Sequence, residues 1–93
     1  MANTTTFSLA VTAVTWVLAI DGATYSNATL STDLSSSQIA FAIATSIPAN
    51  NSDLYDTIQK HETKSVVLSA TDKIYVRKVR PRNAKLRAVL VSR

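Results

Sequence analysis

Residues 70–93, ATDKIYVRKVRPRNAKLRAVLVSR, decide how the rest of the chain is read. Residues 74–79 are a β-branched and aromatic run of the kind that strands favour. Arg80-Pro81-Arg82-Asn83 has turn chemistry, because Pro81 pre-sets φ at the second turn position and Asn83 tolerates a left-handed conformation. Residues 85–91 then place Leu86, Ala88 and Leu90 on one alternating face, with Lys85, Arg87, Val89 and Val91 on the other. The expectation is a closing β-hairpin whose Ile74, Val76, Leu86 and Leu90 complete a core. Arg77, Lys78, Arg80, Arg82, Lys85 and Arg87 make up six of the ten basic residues, so this is also the basic element of the chain.

Upstream, the same period-2 pattern recurs. Phe7, Leu9 and Val11 alternate with Ser8, Ala10 and Thr12, and residues 16–20 form a second apolar run ending at Asp21-Gly22. Gly22 is the only glycine, and its place after an aspartate predicts a turn whose backbone a side chain could not follow. Trp16 sits among aliphatics with no polar cluster beside it, which predicts a core anchor. Residues 23–32 alternate weakly, with Ser26, Ala28 and Leu30 against Asn27, Thr29 and Ser31, as in a strand with one solvated side. The strongest alternation is Ile39, Phe41, Ile43 and Ile47 against Ala40, Ala42, Ala44 and Ser46. A helix competes there, since alanine favours helices and Ser35 to Gln38 has capping-box spacing, but the large apolar residues fall on a strand face. Residues 54–59 are open between a strand and a helical turn, residues 60–64 are a charged turn, and residues 65–69 are a short strand. Seven or eight short strands with little helix predict an all-β domain, an antiparallel β-sandwich over residues 7–93 preceded by a flexible arm over residues 1–6.

The bulk numbers bound the function. A 93-residue chain is one domain and buries roughly 60–65% of its unfolded surface, so it folds alone without a wide margin. It has no cysteine, which leaves oligomerisation as the route to extra stability. Charged residues are only 17%, against a usual ~25%, so solubility rests largely on Ser and Thr. Faces carrying those hydroxyls are dry enough to become interfaces. The charge is also uneven: residues 1–59 hold four Asp and no Lys or Arg, while residues 60–93 hold all ten basic groups and two acidic ones. Such asymmetry suits either a polyanion partner or complementary contact between identical subunits. Residues 7–20 are too short to span a bilayer, and the first Lys is Lys60, so neither a membrane segment nor an export signal is expected.

Catalytic chemistry is not legible. His61 is the single histidine and reads as a solvated turn residue. Asn50, Asn51, Asp53 and Asp56 lack the spacing, central glycine and final Glu of a calcium loop, and one glycine cannot build a phosphate loop. The expectation is a non-enzymatic chain with no cofactor and no metal. The basic segment offers Tyr75 for stacking and Arg77, Lys78, Arg80 and Arg82 for phosphates. Tyr75 is however the only aromatic in it, and alternation splits the charges between two faces, so nucleic acid is the rival reading.

The order of these elements resembles the small β-sandwich virion proteins of tailed bacteriophages. The resemblance runs from about Phe7 to Arg93: a strand with Trp16, an alternating strand ending in ATSIPA (44–49), a charged turn, a Val-rich strand, then TDKIYVR (71–77) and a final apolar strand. Such proteins usually carry glycines in their last two turns, where this chain has KHETK (60–64) and RPRN (80–83), which adds charge at the tip. The resemblance implies a virion structural protein made in the host cytoplasm. Its role would be capsid decoration or cementing, or alternatively that of a head-tail connector or tail accessory. Its partners would be the major capsid protein or other virion subunits. Marginal size and charge asymmetry separately suggest self-association into a trimer or other ring. The interface residues expected on this reading are Asn3, Thr4, Thr5 and Thr6 in the arm, and Tyr75, Arg77, Arg80, Arg82 and Arg87 in the basic segment.

Overall fold

The computed structural model describes residues 3–32, 38–49, 55–59, 62–79 and 84–93. It contains eight strands: β1 (Thr4–Val11), β2 (Val17–Asp21), β3 (Tyr25–Thr32), β4 (Ile39–Ala44), β5 (Asp56–Ile58), β6 (Thr63–Val67), β7 (Lys73–Lys78) and β8 (Ala84–Ser92). They form two four-stranded antiparallel sheets, ordered β1-β8-β3-β6 and β2-β7-β4-β5. The all-β sandwich read from alternation is therefore the fold. Residues 54–59, open between strand and helical turn, contain the short strand β5. Among the described residues no helix is long and apolar enough to cross a membrane.

One expectation is corrected. β7 and β8 do not form a hairpin; they lie in opposite sheets, β7 between β2 and β4, and β8 between β1 and β3. The chain thus changes layer between β7 and β8. The inner faces are those that alternation predicts: Ile74, Val76, Leu86 and Leu90 are all buried, but they meet from opposite layers instead of lying side by side. Part of the segment expected as an arm is strand as well. β1 begins at Thr4, because three β-branched threonines extend the strand and pair opposite Val91, Leu90 and Val89, and Ser92 N–H donates to the carbonyl of Asn3 at 2.8 Å.

The core lies between the layers. The first sheet contributes Val11, Ala28, Leu30, Ala84, Leu86, Ala88 and Leu90; the second contributes Ile20, Ile39, Phe41, Ile58, Ile74 and Val76. Each set follows the two-residue period of its strand, as a sandwich requires. The strand expected over residues 39–47 stops at Ala44; Ile47 beyond it is exposed, and so is Ile43 near its end.

At one end, two connections that pass between the layers lie against each other. Asp21 caps its own turn, its carboxylate accepting from Ala23 N–H at 2.9 Å and its carbonyl from Thr24 N–H at 3.1 Å. Gly22 N–H donates across to the carbonyl of Asp72 at 2.8 Å, and the 69–72 turn is closed by Asp72 N–H to Ser69 O at 3.1 Å. The Arg93 guanidinium donates to the carbonyls of Gly22 and Leu68, stitching both turns to the chain end.

Candidate functional site

The layered topology leaves two outer faces, and they differ. On the second sheet, Ala40, Ala42 and Ala44 alternate with the core residues of β4 and form a shallow floor beside Tyr75 of β7. Trp16, in the segment between β1 and β2, lies over this floor and is 3% exposed. Its indole Nε1–H donates to the carbonyl of Ala49 at 3.1 Å. The guanidinium carbon of Arg77 sits 4.4 Å from the Trp16 ring centroid and 5.2 Å from that of Tyr55, whose ring centroid is 5.9 Å from that of Trp16. Trp16 is thus the buried anchor expected, but outside the main core, roofing one sheet.

This geometry bears on two expected site residues. Tyr75 is 6% exposed and packs under Trp16, so it supports the roof and presents no surface for stacking. Arg77 is half-buried and engaged with two aromatic rings. Trp16 is the sole tryptophan and gives a clean probe: its emission is expected to be blue-shifted and barely quenched by iodide in the folded protein. Ready quenching would place the ring in solvent.

The outer face of the first sheet is open. The registers align three rows across its four strands: Thr4, Val91, Asn27 and Val67; Thr6, Val89, Thr29 and Ser65; Ser8, Arg87, Ser31 and Thr63. The face is therefore built of hydroxyls and valines, with Val67 82% and Val89 44% exposed. Thr29 and Ser65 hydroxyls lie 3.3 Å apart at its centre, and Ser31 Oγ donates to the Arg87 carbonyl at 3.4 Å. Among the described residues its only ionic side chains are Lys85 and Arg87, both on β8. Interface centres are depleted in charge because each buried ion must be desolvated; valines leave water favourably, and hydroxyls do so at far smaller cost than ions once they find a hydrogen-bond partner.

The fold brings Asn3, Thr4, Thr6 and Arg87 to this face or its border, while Thr5 alternates to the other side of β1 and stays exposed. Tyr75 and Arg77 lie on the opposite outer face. Arg80, Arg82, His61, Asn50, Asn51 and Asp53 lie outside the described residues. Among the described cations no continuous basic ribbon forms, since Arg77 lies on one outer face and Lys85 and Arg87 on the other. Sequence reasoning names the arm threonines but not Asn27, Thr29, Ser31, Thr63, Ser65 and Val67. The alternation of residues 26–32 carries that signal for β3, whereas nothing local to residues 63–67 tells which strand lies beside it. Groups of three or more metal-ligating side chains are absent among the described residues.

These features define a two-layer antiparallel β-sandwich with one roofed face and one open, nearly uncharged face. No protein-family model and no curated protein matches the chain.

Proposed function

We propose that this chain is a non-enzymatic virion structural protein of a tailed bacteriophage, a capsid decoration protein that binds neighbouring capsid subunits. The observation that supports this reading most is the open face of Thr, Ser and Val, flat in pattern and poor in charge. Binding on it works by complementarity: valines gain by leaving water, hydroxyls are desolvated at far less cost than ions once they hydrogen-bond across the contact, and Arg87 beside Ser8 and Ser31 supplies one cation for an acidic partner group. Many weak copies then add up over a shell. The resemblance in element order carries the virion part of the proposal.

The test is the copy number of this chain in purified particles. Hundreds of copies are expected for decoration; a dozen or fewer assigns a head-tail or tail accessory role, and absence from particles overturns the reading. Thr29→Glu, at the centre of the open face, places a carboxylate where it must be desolvated and is expected to weaken attachment at least ~10-fold. Its stability should move by no more than ~0.5 kcal/mol, as for a surface substitution. The rival, a small basic nucleic-acid-binding protein, predicts sequence-independent gel shifts that weaken steeply with salt. No shift is expected even at low salt.

A further inference from the structure

The four strand edges of the sandwich are not alike. β5 is three residues long, β2 is broken by a register shift between Leu18 and Ile20, and β6 carries Lys64, which pairs with Asp56 at 3.6 Å and Glu62 at 3.8 Å. Short length, irregularity and lysine are the usual means of blunting an edge. β1 has none of them. It is eight residues long, TTTFSLAV, with no charge, no proline and an unbroken register against β8.

Which backbone groups this edge offers follows from one hydrogen bond. Asn3 O accepts from Ser92 N–H, so odd residues of β1 turn their peptide groups toward β8. Alternation then turns the N–H and C=O groups of Thr4, Thr6, Ser8 and Ala10 outward. Phe7 and Leu9, on the inner side of the same strand, are only half-buried against the core, leaving apolar surface at the open border.

We infer that β1 pairs antiparallel with β1 of a second copy about a two-fold axis at Phe7, joining two first sheets into one of eight strands. That register sets Thr6 of one copy opposite Ser8 of the other and Thr4 opposite Ala10, all four turning their peptide groups away from β8. It brings the two Phe7 side chains together as a cross-strand aromatic pair and covers Leu9. The strand suits itself as partner because it carries no charge, so the two-fold places no like charges opposite one another. A two-fold pair closes, so it gives a dimer and not the ring expected from size and charge asymmetry. The pairing belongs to the purified chain and holds whether or not the virion reading does.

Sedimentation equilibrium tests it from ~10 μM to ~1 mM, the range suited to an interface below the ~1,200 Å² of a standard one. A monomer–dimer equilibrium is expected. Hydrogen exchange at the same concentrations should show Thr4, Thr6, Ser8 and Ala10 amides slowing as the dimer fills. Ser8→Lys puts two ammonium groups on diagonal neighbours roughly 7–8 Å apart and is expected to raise the dimer Kd at least ~10-fold. Thr6→Pro removes one outward N–H and no bond to β8, and is expected to do the same. Thr29→Lys, on the face and away from the edge, should leave the equilibrium unchanged. A chain that stays monomeric, a dimer indifferent to both edge variants, or protection elsewhere overturns the inference.

Discussion

Gly22→Ala is expected to lower stability by about 3 kcal/mol, the upper end of the usual cost of overpacking. A domain of this size loses roughly 4–8 °C per kcal/mol, so the thermal midpoint should fall by about 12–24 °C. The cause is close approach of backbone. A β-carbon at residue 22 would stand 2.3 Å from the carbonyl oxygen of Ser69 and 2.5 Å from that of Asp72. Neither atom belongs to a side chain that can rotate away. Relief requires the 22–24 and 69–72 turns to separate, which stretches the Gly22 N–H bond to Asp72 and the two bonds that Arg93 makes to Gly22 and Leu68. Thermal denaturation followed by circular dichroism measures the loss; a midpoint within about 3 °C of wild type, less than 1 kcal/mol, would mean that the turns are not packed as described. Arg93→Ala removes the stitch without the clash and should cost less than Gly22→Ala.

The same glycine shows how much of the fold is legible in the sequence. Its turn follows from composition, since a lone glycine directly after an aspartate is strong turn chemistry. Why it must be glycine does not, because Ser69 and Asp72 are 47 and 50 positions away and no local pattern brings them near. The closing strands behave in a similar way. Alternation reports which side of a strand is buried, and it places Ile74, Val76, Leu86 and Leu90 in the core, where they lie. It does not report the sheet to which a strand belongs. In a hairpin and in a pair of strands from opposite layers, the same residues face the same core, so alternation cannot tell the two apart. Among the described cations the basic ribbon dissolves with the hairpin, since Arg77 and Arg87 lie on opposite outer faces.

Legibility of the site follows from this. The hydroxyl face is assembled from β1, β8, β3 and β6, strands that are far apart in the chain, and only their registers make rows. Composition foretells that Ser and Thr cover much of the surface; it cannot foretell that one whole face is nearly free of charge. Tyr75 departs from expectation for a related reason. An outward position on a strand is normally wet, and only a roof supplied by a remote segment makes it dry.

That roof carries the largest expected effect. Trp16→Ala removes a ring that is 3% exposed and is expected to cost about 4 kcal/mol, within the 3–5 typical of buried aromatic truncations. At the slope given above, the midpoint would fall by about 16–32 °C. Three losses combine: the packing over Ala40, Ala42 and Tyr75, the indole bond to Ala49 that ties the β1–β2 segment to the chain after β4, and the contact with the Arg77 guanidinium. They can be separated. Trp16→Phe keeps an aromatic surface but removes the donor to Ala49, which should cost about 1–2 kcal/mol once lost ring area is included. Arg77→Ala removes the cation from two rings and should cost about 1 kcal/mol. Because Trp16 and Arg77 touch, the double variant should be less damaging than the two losses added, by roughly 0.5–2 kcal/mol in urea denaturation. Strict additivity would show that the cation merely lies near the ring. A loss below 1 kcal/mol for Trp16→Ala would make the ring a loose lid, and the alanine floor beneath it would then be a second open face.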